Sequence, residues 1–151
     1  MEYEHLKLEN QLCFPFYALS RLITRAYQED LDALGITYPQ YLVLMVLWEK
    51  EDISVIEIGE KLILNTNTIT PLLKRMETQG LITRTPSQTD QRKVLIGLTE
   101  NGRTMREKAS CVPYNLIQKM NIDPEKMQIE DVLKLKNQLY DLIRMLEHVE
   151  K

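Results

Sequence analysis

From Leu12 onward, apolar residues recur at Leu12, Phe16, Leu19, Ile23, Ala26 and Tyr27, in steps of three and four that line one helix face. Pro15 suits the first turn of that helix and Gly35 its end. A second helix is predicted from Thr37, Tyr38 and Pro39 to about Trp48, apolar nearly all round and therefore buried. After the acidic turn Glu49 to Asp52, Ser54 and Glu57 form a capping box for a short helix ending near Lys61 or Leu62. Asn65 and Thr66 cap the next helix, Thr66 to Gln79. Its Ile69, Leu72, Leu73 and Met76 face inward, while Thr66, Asn67, Thr68, Thr70, Lys74 and Arg75 stay outside. Gly80 closes it.

The pattern then turns to short runs rich in β-branched residues, Leu81 to Thr85 and Val94 to Leu98, around the polar loop Pro86 to Lys93. These runs make a hairpin with a basic tip. Thr99 caps a long helix disturbed at Pro113, and Asp123 and Pro124 open a final helical region. Its apolar positions Val132, Leu135, Leu139, Leu142, Leu146 and Val149 alternate steps of three and four.

Two short helices joined by a tight turn, the second exposing hydroxyls, amides and cations, form a helix-turn-helix pattern suited to base edges and phosphates. The expected fold is mainly α with a small β-hairpin wing, a winged helix-turn-helix whose terminal helices form a dimerisation domain. Residues 1–151 read as one domain, with a reading lobe over 37–98 and a helical dimerisation lobe over 1–36 and 99–151. A two-fold protein matches a palindromic DNA site. The alternative is that both terminal seams pack only within one chain.

Charge sharpens this picture. The net charge is −3, yet Lys61 to Lys108 holds nine Lys and Arg against four acids, +5, which leaves −8 for the remainder. A basic middle in an acidic body fits a small DNA-reading module, although an uneven solvated surface has the same arithmetic. The longest apolar run, Tyr41 to Trp48, is far below the roughly 18 residues a membrane helix needs, and the amino terminus has no signal-peptide pattern. A cytoplasmic protein with no membrane partner is expected.

The candidate chemistry is sparse. His5 and His148 lie near the ends, no Gly-rich phosphate loop is present, and no Ser, His and acid set shares a plausible pocket, so an enzyme is not expected. No metal site and no cofactor are expected either, since the available ligands are two terminal histidines, two cysteines and scattered carboxylates. Cys13 and Cys111 are far apart and form no CxxC pair, so at least one thiol should be free.

The order of elements resembles the MarR family of winged-helix transcription regulators over nearly the whole chain. The resemblance rests on Leu64 to Glu77 (LNTNTITPLLKRME), Gly80 to Ile82 (GLI), Asp90 to Lys93 (DQRK) and Leu98 to Gly102 (LTENG). It implies that Thr66, Asn67, Thr68 and Thr70 enter the major groove, and that Lys74 and Lys93 belong to the DNA surface. It also implies that Arg75 and Arg84 hold phosphates, and that Arg92, braced by Asp90, reaches the minor groove. The negative potential of a narrow minor groove favours such an arginine.

The amino terminus resembles the organic hydroperoxide repressor branch of that family, through Leu12 to Tyr17 (LCFPFY) and Thr37 to Tyr41 (TYPQY). The likeness implies a peroxide-sensing Cys13 with Tyr27 and Tyr38 as its partners. A thiol at a helix amino terminus meets unpaired N–H groups and the positive end of the dipole, which favour thiolate. Tyrosine hydroxyls donate hydrogen bonds to such an anion. Cys13 and Tyr27 are fourteen positions apart, roughly 20 Å on a continuous helix, so a shared site would have to span two subunits. The competing reading of Cys13 is an inert buried thiol.

Two further alternatives stay open. Cys111 either resolves an oxidised Cys13 as an intersubunit disulfide or merely packs. The same fold could instead sense general redox stress, or a phenolic or apolar ligand in an interhelical cleft lined by Tyr17, Tyr27, Tyr41 and Trp48.

Overall fold

Thr37, Ser54, Asn65 and Thr99 each stand in extended backbone immediately before a helix, and these four residues set the architecture. The Ser54 hydroxyl accepts from Glu57 N–H, the Asn65 carboxamide from Thr68 N–H, and the Thr99 hydroxyl from Gly102 N–H. At Thr37 the Gln40 side chain reaches back to accept the cap residue's own N–H at 2.8 Å.

The computed structural model describes residues 3–90, 93–121 and 128–147. Two 3-10 turns, Glu4–Leu6 and Leu8–Asn10, precede helix α1 (Cys13–Ala33) and helix α2 (Tyr38–Glu49). Strand β1 (Ile53–Ser54), helices α3 (Val55–Leu62) and α4 (Thr66–Thr78), and strands β2 (Ile82–Pro86) and β3 (Val94–Leu98) follow. Helices α5 (Glu100–Ala109), α6 (Val112–Met120) and α7 (Ile129–Glu147) complete the described chain. It divides into two compact units, Met1–Tyr114 and Asn115–Lys151.

The first unit is a winged helix. Strand β3 lies between β1 and β2, antiparallel to both, with Ile96 opposite Ile53 and Leu98 opposite Ile82. The predicted hairpin is present with its first strand shifted by one residue. Strand β1 was not foreseen, because Ser54 is already explained as a helix cap and two residues show no alternation. The core joins Leu31 of α1, Val43, Leu44 and Leu47 of α2, Ile58 of α3, the four predicted residues Ile69, Leu72, Leu73 and Met76 of α4, and Ile82, Ile96 and Leu98 of the sheet. Burying such a side chain stabilises by about 1.5–3 kcal/mol each.

Helices α1 and α4 close alike. Gly35 and Gly80 take φ of +69° and +68°, and the amides of Ile36 and Leu81 turn back to the carbonyls of Leu31 and Met76 at 3.0 Å in each case. The turn between α3 and α4 is closed instead by Ile63 at φ +54°, a conformation costly for a β-branched residue. Pro71 sits inside α4 and cannot donate to the Asn67 carbonyl, yet the helix runs on to Thr78.

The long helix expected after Thr99 is two helices, α5 and α6, with the break just before Pro113. The second unit contains α7. It begins at Ile129, and Asp123 and Pro124, the expected start, lie outside the described residues, as does Val149. No residue of α7 is buried, and of its predicted apolar seam Val132, Leu135 and Leu146 are exposed while Leu139 and Leu142 are partly buried. Among the described residues no single helix is long and apolar enough to cross a membrane.

Candidate thiol site and nucleic-acid interface

Cys13 is the first residue of α1 and is exposed. Leu12 before it offers no side-chain acceptor to the first-turn amides, so the positive end of the helix is left uncovered beside the thiol. Helix α1 runs unbroken from Cys13 past Tyr27. Much of its predicted apolar face is open, with Leu12, Phe16 and Leu19 exposed and Ile23 half-buried.

Tyr27 meets Tyr38 at the start of α2. Their rings stack with centroids 5.1 Å apart and planes 28° apart. Tyr41, one turn on, lies 6.0 Å from Tyr27 and 6.1 Å from Trp48. The Trp48 indole N–H donates to the Gly102 carbonyl at 2.9 Å. Burial pushes all three phenols above the ordinary tyrosine value, and the charge of Tyr38 adds to the rise at Tyr27. At Tyr41, Tyr27, Tyr38 and Cys111 add to the effect of burial, so the second thiol lies within electrostatic reach of the cluster. These phenols therefore keep their protons at neutral pH and act as hydrogen-bond donors. Cys111 is exposed, and its thiol donates to the Lys108 carbonyl at 3.5 Å. Neither cysteine is in a disulfide.

The structure thus brings Tyr27 and Tyr38 together and leaves Cys13 a helix length away on the same chain. The aromatic cleft suggested for a ligand is not an open cleft at Tyr41, which is 2% exposed. A cavity of about 480 Å³ opens elsewhere, lined by Asp32, Thr37, Gln40, Arg75, Thr78 and Gln79 among others.

On α4, Thr66, Asn67, Thr68, Thr70, Lys74 and Arg75 are all exposed, opposite the buried stripe. The Thr68 hydroxyl donates to the Asn65 carboxamide at 3.0 Å, so it faces any new partner as an acceptor. Arg84 points back from β2 to α4, where its guanidinium lies 3.5 Å from the Glu77 carboxylate. Its Nε is buried without a hydrogen-bond partner. This brace was missed in the sequence, where Glu77 counts only as one charge. In the wing, Ser87 N–H donates to the Lys93 carbonyl and Lys93 N–H to the Asp90 carbonyl, at 2.8 and 2.9 Å. Arg92, and with it the expected Asp90 to Arg92 brace, lies outside the described residues.

The family model "Transcriptional regulator SarA/Rot" matches residues 25–109, from the middle of α1 to the end of α5. The chain is 50% identical over 145 residues to the organic hydroperoxide resistance transcriptional regulator of Bacillus subtilis (strain 168), covering 96% of this chain and 95% of that protein. It belongs to the MarR/SarA family of winged-helix transcriptional regulators. That is a class of regulators, not of enzymes.

Among solved structures, this MarR-type chain is similar to AbfR of Staphylococcus epidermidis. Reduced AbfR bound to DNA matches with a TM-score of 0.77 and 37% identity over 100% of both chains. Overoxidized AbfR bound to DNA matches at 0.74 and 37%, over 99% of both. The disulfide form of AbfR matches at 0.61 and 38% identity, over 95% of this chain and 97% of that one. The segment matched by the SarA/Rot model holds the tyrosine cluster and the reading lobe, while Cys13 and Cys111 fall outside it.

Proposed function

We propose that the chain is a homodimeric, DNA-binding repressor of the cytoplasm that senses organic hydroperoxides through Cys13 and leaves its palindromic operator once that thiol is oxidised. The observation that carries this reading is the stacked pair of Tyr27 and Tyr38, in which Tyr27 stands fourteen residues along the same unbroken helix from Cys13 and Tyr38 opens the next helix. A second subunit running alongside supplies the missing contact, and the open apolar face of α1 is the surface for it. Residues 1–36 and 99–151 form the dimerisation lobe in this reading, and 37–98 the lobe that reads DNA.

The chemistry balances without a cofactor. The Cys13 thiolate attacks the terminal peroxide oxygen and the O–O bond breaks. The alkoxide takes up a proton and leaves as alcohol, and Cys13 becomes a sulfenic acid. Until then the phenols of Tyr27 and Tyr38 hold the thiolate by hydrogen bonds. In a second step the Cys111 thiolate of the neighbouring subunit attacks the sulfenic sulfur, expelling hydroxide, which leaves as water on protonation, and forming a disulfide. Overoxidized AbfR is found on DNA, which supports the disulfide, rather than further oxidation of one thiol, as the releasing form.

On the operator, Thr66, Asn67, Thr68 and Thr70 face base edges in the major groove, and Lys74, Arg75 and Arg84 face phosphates. Lys93 and Arg92, with Asp90 as brace, work at the wing and the minor groove. A mobility-shift assay on DNA upstream of the protein's own gene tests the reading, with wild type and Cys13→Ser compared before and after stoichiometric cumene hydroperoxide. Release of the wild type with retention of the variant is expected. Retention of both refutes sensing at Cys13.

A further inference from the structure

Gln79, Gly80 and Leu81 join the recognition helix α4 to the wing strand β2, and neighbouring elements grip this joint on two sides. From α5, the Thr99 hydroxyl donates to the Gly80 carbonyl at 2.6 Å, and Thr99 N–H donates to the Leu81 carbonyl at 3.1 Å. From α2, the Gln40 side-chain amide donates to the Gln79 side-chain carbonyl at 2.6 Å. Gln40 is 4% exposed and both ends of its amide are engaged, since its oxygen also accepts Thr37 N–H at 2.8 Å.

Between Thr37 and Gln40, in the same helical turn, stands Tyr38, stacked on Tyr27. The cap bond makes that turn one rigid piece, so a displacement of the Tyr38 ring carries Gln40 with it. Gln79 is the final cap of α4, where a pull acts on the whole helix axis. The apolar core holds α2 and α4 together without this bond, so its removal leaves the fold intact.

We propose that the Gln40 to Gln79 hydrogen bond links the sensing tyrosines to the recognition helix, with Gln40 and Gln79 as positioning residues that convert a displacement of Tyr38 on disulfide formation at Cys13 into a tilt of α4. This rests on the peroxide-sensing reading above. When oxidised Cys13 is drawn into a disulfide it leaves the phenols, Tyr38 shifts, and the first turn of α2 drags the end of α4 through the paired amides, a change that Cys13→Ser cannot make.

The test compares wild type, Gln79→Met, Gln79→Glu and Gln40→Met. It follows operator affinity before and after cumene hydroperoxide, and thiol titration of Cys13 in parallel. Gln79→Met removes the acceptor at nearly constant length, while Gln79→Glu keeps one. In Gln79→Met, Cys13 oxidises at the wild-type rate and the reduced protein binds DNA within about threefold of wild type. The ratio of oxidised to reduced Kd falls by about five- to tenfold, the scale of one side-chain hydrogen bond. Gln40→Met behaves alike. Gln79→Glu restores the ratio, because its added charge acts on both affinities equally. A wild-type ratio in Gln79→Met, a lowered ratio in Gln79→Glu, or slowed thiol oxidation in Gln79→Met overturns the link. Wild type that stays bound after peroxide overturns the sensing reading itself, so the two failures are distinguishable.

Discussion

Cys13 and Tyr27 are fourteen residues apart on one unbroken helix, α1, which separates them by roughly 20 Å along its axis. Within a chain that distance is fixed, so the proposed site of Cys13 with Tyr27 requires two copies.

Mixed dimers expose that arrangement. Tyr27→Phe and Tyr38→Phe each remove one hydrogen bond to a charged thiolate and slow peroxide oxidation of Cys13 about tenfold or more. A dimer pairing a Cys13→Ser subunit with a Tyr27→Phe subunit contains one complete site, because the remaining Cys13 faces an intact Tyr27. Stopped-flow thiol oxidation should therefore find one fast-reacting cysteine per mixed dimer. Uniformly slow oxidation places each site within one chain.

DNA binding is expected to weaken steeply with salt, and Lys74→Ala and Arg75→Ala each lower the slope of log Kd against log salt by about one. Arg84→Ala acts differently. Its guanidinium is held by Glu77, so its loss also frees the joint between α4 and the wing and leaves a carboxylate facing the DNA. Its affinity loss should exceed what its salt slope accounts for. Fluorescence anisotropy at three salt concentrations separates the two behaviours.

Ile63→Gly is expected to stabilise the protein by about 0.5–1 kcal/mol, because φ +54° is strained for isoleucine and free for glycine, less the entropy of a looser unfolded chain. Ile63 is 59% exposed, so little burial is lost. The melting temperature should rise by about 1–4 °C. A fall would mean that the side chain contributes more than its exposure implies.

Gly102→Ala should do the opposite. A Cβ there would stand 2.1 Å from the Leu81 carbonyl oxygen, and the same backbone carries the carbonyl bonded to Trp48. Helix α5 has to move away from the base of the wing, at about 3 kcal/mol or more. Urea unfolding measures it.

Acid sensitivity should trace to Glu51. Its carboxylate takes two hydrogen bonds from Arg103, at 3.0 and 2.7 Å, and also accepts Leu98 N–H at 3.3 Å. The Arg103 bonds hold its pKa below the ordinary glutamate value. A carboxyl lowered by folding stabilises the native state above its unfolded value, and that contribution fades as the pH falls through the folded one. Glu51→Gln should thus be less stable than wild type at neutral pH and equal to it in strong acid. A gap that persists in strong acid shows that the group acts by shape, not by charge.

The recognition helix was legible in the sequence because cap, stripe and closing glycine agree there. Asn65, the spacing of Ile69, Leu72, Leu73 and Met76, and Gly80 are local signals that burial reinforces. The tyrosine pair was legible only through family likeness, since Tyr27 and Tyr38 meet across a helix corner that no periodicity encodes. Strand β1 and the Gln40 to Gln79 bond were illegible for a related reason. Each depends on a partner about forty residues away, Ile96 for Ile53 and Gln79 for Gln40, and neither residue carries a local mark of it. Arg84 shows the limit on charges: sequence gives its sign, and only packing shows that it faces Glu77.

Trp48 is the only tryptophan in the chain, and its indole is tied to Gly102 at the point where α5 rests on the base of the wing. The protein therefore carries its own optical reporter. Any motion that lengthens that hydrogen bond or alters the packing of Tyr41 against the indole changes its emission, so a peroxide-driven shift at this joint is readable in solution without label or DNA.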